Sequence, residues 1–166
     1  MKKLLFLFII TPCLLFAQNN KPIGSFCIEN NAIVYRHVFA DSLDAESVIV
    51  QKLLSRIPAS PNINTVNEFN NGQIITGAFE SQNANEGSPW ELIKAYFIIE
   101  VKNGKYRVTI SNIIDNKNLG TIPFTYIYAK NKPLEWRSSV QNDLAKLDAK
   151  FTALFELNST IGKEDW

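Results

Sequence analysis

The chain has 166 residues, 46% of them hydrophobic, with 17 basic against 16 acidic side chains, two cysteines and one histidine. That balance, with no Lys/Arg run, excludes the basic face on which a dedicated nucleic-acid binder depends, and two cysteines are too few for a disulfide scaffold. The length supports a targeting segment and one domain of ordinary size.

The first segment is the targeting signal. Met1-Lys2-Lys3 is basic, Leu4 to Phe16 is apolar apart from Thr11 and Pro12, and Ala17 is the small residue before the polar Gln18-Asn19-Asn20-Lys21. An apolar core of about 13 residues falls short of the roughly 20 that cross a bilayer, so residues 1–17 are expected to be a cleaved secretory signal, with no transmembrane span. Lipidation at Cys13 is the rival reading. It is disfavoured because Pro12 stands where lipoprotein signals resemble one another in carrying Gly, Ala or Ser. The expected localisation is therefore export, periplasmic or secreted. Cleavage would remove Lys2 and Lys3, taking the formal charge from +1 to −1. It would leave Cys27 without an intramolecular disulfide partner, as a buried small hydrophobe rather than an intermolecular link.

Residues 18–31 form an N-terminal segment in which Ser25-Phe26-Cys27-Ile28 offers an additional strand. The single α+β domain is expected over 32–157. Ile33 to Phe39 is its first core strand, rich in β-branched and aromatic residues, with Ile33, Tyr35 and Phe39 on one face. A helix follows over about 43–57: Leu43, Val50, Leu53, Leu54 and Ile57 recur at helical spacing, and Pro58 stops the run. Asp41-Ser42 are placed to cap it, with Asp44 and Glu46 in the first turn.

Two hairpins come next. Ile63 to Phe69 and Gln73 to Glu80 flank Asn70-Asn71-Gly72, residues that tolerate positive φ; the alternation does not decide whether Phe69 faces Ile74 or Gln73. After the polar loop Ser81 to Pro89, Trp90 to Lys102 and Lys105 to Ile114 flank Asn103-Gly104. A two-residue turn there sets Val101, Ile99 and Phe97 opposite Tyr106, Val108 and Ile110 on one face. On the other face it pairs Lys102 with Lys105, Glu100 with Arg107, Ile98 with Thr109 and Tyr96 with Ser111. A linker from Asp115 to Pro123 and an apolar patch from Phe124 to Tyr128 precede the last helix. Pro133 is placed near its first turn, and Trp136, Val140, Leu144, Leu147, Phe151, Leu154 and Phe155 form its stripe. Residues 158–166 are a tail.

The order is strand, helix, four strands, helix (β-α-β-β-β-β-α), with both helices on one face of a curved antiparallel sheet and the other face open. The strand Val34-Tyr35-Arg36, the helix carrying Ser47-Val48-Ile49 and the hairpin from Tyr96 to Ile110 resemble exported bacterial domains of unknown function with a TATA-binding-protein-like (TBP-like) fold, over roughly residues 32–115. The resemblance implies this same order of elements. It implies no activity, and a shared fold does not carry the DNA-bending role of its namesake.

No catalytic, cofactor or metal constellation stands out. His37 lies on a strand with no base or orienter indicated, and without thiolate partners it makes a poor metal ligand. Asp41, Asp44 and Glu46 are accounted for by the helix start. What remains is the open face, with Arg36, Lys94, Tyr96, Ile98, Glu100, Arg107 and Thr109 as candidate binding residues for an envelope protein, peptide or glycan, or for self-association, and not for nucleic acid. The alternative is a small secreted hydrolase, which would need a deep pocket converging on His37 and two carboxylates.

Overall fold

The computed structural model describes residues 21–30, 32–41, 43–80, 93–115, 120–121, 127–129, 134–137 and 140–157. The expected signal segment 1–17, the expected loop Ser81 to Pro89 and the expected tail 158–166 lie outside them. The strands are β1 (Phe26–Glu29), β2 (Ala32–Ala40), β3 (Ile63–Phe69), β4 (Ile74–Glu80), β5 (Ile93–Lys102), β6 (Lys105–Asp115), β7 (Gly120–Thr121), β8 (Ile127–Ala129) and β9 (Leu134–Trp136). The helices are α1 (Glu46–Arg56) and α2 (Gln141–Phe155).

Six strands make an open antiparallel sheet in the order β1-β2-β6-β5-β4-β3, with β7 paired to the far end of β6. The front stretch does add a strand, β1, set with Phe26 opposite Tyr35. The β5–β6 hairpin has the expected register at every pair from Lys102↔Lys105 to Tyr96↔Ser111. Beyond it, Asn112 at φ 50° marks a bulge that turns Ile113 into the core.

Both helices cover one face. Tyr35, Phe97, Ile99, Val108 and Ile110 of the sheet are at most 1% exposed and pack with Ile49 and Leu53 of α1 and Leu144, Phe151 and Phe155 of α2. Gly77 in β4 is part of this fit. It lies opposite Phe97, and a Cβ there would collide with the Phe97 ring and the Thr65 carbonyl.

The β3–β4 hairpin settles with Phe69 opposite Ile74. Asn70, Asn71 and Gly72 take φ of 51°, 56° and 86° in succession, which is why two Asn and a Gly occupy the turn.

The helix starts depart from expectation. α1 begins at Glu46, after Ala45, and Ala45 makes no side-chain cap. Asp41 and Asp44 are turned instead to the Lys52 ammonium, in the second turn of the helix. The free Glu46 N–H donates to Asn103 Oδ1 of the β5–β6 turn at 3.3 Å, a cap supplied from 57 residues away. Leu43 therefore lies before the helix, 96% exposed, and Ile49 takes its place in the buried stripe. α2 begins at Gln141, and Trp136 belongs to β9, which pairs with β8 through Ile127↔Trp136. Trp136 still packs against the core, so an apolar position four residues before Val140 matched a helical period while its backbone is extended. The Phe124–Tyr128 patch thus contributes its last two residues to β8, and the linker holds β7.

Candidate binding face and a flanking depression

Alternation along β2, β5 and β6 sends every second side chain away from the helices. Arg36, Lys94, Tyr96, Ile98, Glu100, Arg107 and Thr109 all lie on this outer face. They fall into cross-strand rows. Thr76, Ile98, Thr109 and Arg36 form one, Ile74, Glu100, Arg107 and Val38 the next, and Ala78, Tyr96 and Ser111 a third.

Arg36, Arg107 and Lys94 are each held by a carboxylate of a neighbouring strand. Arg36 donates to both oxygens of Glu29, at 2.5 and 2.9 Å, a bidentate pair that holds the Glu29 carboxyl below its ordinary range. Arg107 donates through Nε and Nη2 to Glu100 Oε2 at 2.8 and 2.6 Å. Lys94 pairs with Glu80 at 2.8 Å. Between these pairs apolar side chains stand in solvent: Tyr96 is 57% exposed, Val38 56%, Phe69 53% and Ile98 43%.

Sequence reasoning missed Val38 and Phe69, and the acids Glu29 and Glu80. Val38 was available from the alternation of β2; Phe69 depended on the undecided register. Cys27, also on β1, is half-buried rather than buried. Its Sγ lies 3.4 Å from Glu29 Oε1, and burial beside that carboxylate pushes the thiol up to about 11, so almost no thiolate exists at neutral pH.

His37 points to the helix side, between Tyr35 and Phe39. Its Nδ1 shares a hydrogen bond of 2.8 Å with Ser25 Oγ, and the Ser25 N–H donates to Asp148 Oδ1 at 2.8 Å. The Tyr35 hydroxyl meets Thr152 Oγ1 at 3.1 Å. These bonds fasten α2 to the β1–β2 edge, and the Ser25 N–H is spent on Asp148.

Beside His37 is a depression of about 190 Å³ bordered also by Phe39, Asp41, Tyr106 and Glu156. Histidine and two carboxylates thus share one wall. Asp41 is 7% exposed, its Oδ2 is sealed from solvent without a hydrogen bond, and its charge faces Lys52 Nζ at 3.5 Å. The Tyr106 hydroxyl is committed, donating to the Phe155 carbonyl at 2.8 Å and accepting from the Leu157 N–H at 3.1 Å. Among the described residues no three His, Cys, Asp or Glu lie close enough to hold a metal ion.

No family model matches the chain, and no curated protein matches it. Solved structures do. A DUF4468 family protein from Bacteroides ovatus superposes with a TM-score of 0.56 at 11% identity, covering 85% of this chain and 96% of its own. A TBP-like protein from Parabacteroides distasonis does so with a TM-score of 0.52 at 13% identity, covering 79% of this chain and 95% of its own. The chain is a domain with a TBP-like fold. At such identities the likeness lies in the backbone, and the outer-face side chains of this TBP-like domain are argued from its own geometry.

Proposed function

We propose that this TBP-like domain is an exported, non-enzymatic binding module that presents its outer sheet face to a protein, peptide or glycan of the bacterial envelope. The observation that carries the reading is the composition of that face: exposed Tyr96, Ile98, Val38 and Phe69 on a rigid sheet, separated by ion pairs that close on themselves. Apolar and aromatic groups give contact area, and paired charges at the margins orient a partner without an unpaired charge having to be buried. Export is supported by the basic, apolar and small-residue pattern of residues 1–17.

The test is capture of partners from the organism's envelope fraction by the mature protein. The Tyr96→Ala/Arg107→Ala double variant is expected to fold and to lose them; retention of every partner would sink the proposal. N-terminal sequencing of the secreted form should begin at Gln18, and a lipidated Cys13 would replace the free module with an anchored one. A hydrolase is the second reading, favoured by the depression that His37, Asp41 and Glu156 border. It predicts turnover of some ester or amide substrate that His37→Ala abolishes.

A further inference from the structure

We infer that the end of the outer face beside the β5–β6 turn is a binding site for a small oxyanion, a carboxylate or phosphate group, held by Lys102, Lys105 and Arg107. The inference deepens the reading of the outer face and rests on taking that face as a recognition surface. Its starting point is a departure from the local rule. Everywhere else on the face a cation meets a carboxylate, but Lys102 and Lys105 stand directly opposite one another across the ladder. Like charges so placed repel. Both are exposed, and among the described residues neither makes an ion pair. An uncompensated local conflict of this kind is where a ligand is to be sought.

The second observation is space. A depression of about 180 Å³ is bordered by Lys102, Lys105, Arg107, Glu100 and Val38. Its one acid, Glu100, is already neutralised by Arg107, which spends Nε and Nη2 on it and keeps Nη1. The Glu100 contact fixes the guanidinium plane, so that cation is positioned before any ligand arrives. Two lysine ammonium groups and the remaining guanidinium N–H then supply charge-assisted donors for two or three oxygens, and Val38 supplies an apolar wall for the carbon that carries them. The Asn103-Gly104 turn between the lysines is itself anchored, since the Asp41 N–H donates to the Gly104 carbonyl at 2.9 Å and Asn103 caps α1.

The test is an NMR titration of the mature protein with inorganic phosphate, and separately with succinate, each against sodium chloride at equal ionic strength. Saturable shifts are expected at Lys102, Lys105 and Arg107. The Lys102→Gln/Lys105→Gln variant, with an unchanged spectrum elsewhere, is expected to bind at least tenfold more weakly. Lys105→Glu, which sets opposite charges across the ladder, is expected to fold at least as stably and to bind neither anion. Phosphate alone or succinate alone identifies which oxyanion is preferred. Shifts that follow chloride without saturating, or a double variant that binds as well as the parent, would overturn the site. Should that happen while the Tyr96→Ala/Arg107→Ala variant still loses its partners, the anion site falls and the face reading stands; if partner capture is also unaffected, both fall.

Discussion

Tyr96 and Phe97 are neighbours in one strand, yet they belong to different regimes. Phe97 is 1% exposed, lies over the bare backbone of Gly77 and meets the Phe155 ring edge-on at 5.2 Å; Tyr96 stands 57% exposed on the opposite face. The same contrast runs across the whole sheet. Side chains of the inner face are packed against specific neighbours, while those of the outer face stand largely in solvent. The buried contacts that stabilise the fold are concentrated on one side of the sheet, and the exposed apolar groups and ion pairs stand on the other.

The sharpest test of the contrast substitutes the two neighbours. Phe97→Ala is expected to destabilise by about 4 kcal/mol through lost burial and a cavity, while Tyr96→Ala changes stability by under ~0.5 kcal/mol; urea denaturation of both variants measures the difference, and equal losses would break it. Gly77→Ala comes next, at about 3 kcal/mol, because the new methyl meets the Phe97 ring and a backbone carbonyl that cannot yield together. Its partial rescue by Phe97→Leu, followed by thermal unfolding, would locate the clash.

Burial also sets the alkaline limit of the fold. The hydroxyls of Tyr35 and Tyr106 are pushed up to about 12 by burial, from an ordinary value of 10. An acid that is harder to ionise in the folded state favours folding fully below pH 10, and that contribution is lost as pH rises from 10 through 12. Stability is thus expected to fall steeply over that window, and Tyr106→Phe to flatten the fall. At neutral pH the same variant costs about 1 kcal/mol for the lost bonds to Phe155 and Leu157. The smallest effect belongs to the outer face: a double-mutant cycle on Glu100 and Arg107 is expected to give a coupling of about 0.5 kcal/mol at low salt and less at high salt.

Much of this was legible in the sequence, and the reasons differ by element. The β5–β6 hairpin could be read to the residue because a single register sorts all of its apolar side chains to one side, and it places Glu100 against Arg107 where the ion pair is found. Tyr96, Ile98, Glu100, Arg107 and Thr109 of the face followed from that register. The β3–β4 register could not be read, because Ile63, Val66 and Phe69 do not alternate strictly and the turn holds its shape through three left-handed residues. The start of α1 was misjudged for another reason. Asp41 and Asp44 are the residue types that cap helices, but their charge is drawn to Lys52, and the cap comes from Asn103. A contact across 57 residues leaves no mark in a local window. The depression beside His37 was invisible for the same reason, since Asp41, Tyr106 and Glu156 meet there from distant parts of the chain.

The pairing of β2 with β6 carries a consequence for how the chain assembles. Tyr35 lies opposite Ile110, and β6 is the only described strand that joins β2 to the rest of the sheet. A growing chain that has reached residue 104 therefore holds β1 and β2 with no strand to join them to the rest of the sheet. The β3–β4–β5 meander can form early from local contacts, but the inner face stays open until β6 arrives, and α2 must then close over it. Cleaving the chain between β4 and β5 should yield two fragments, neither of which buries its own share of the core, and which regain structure only when mixed.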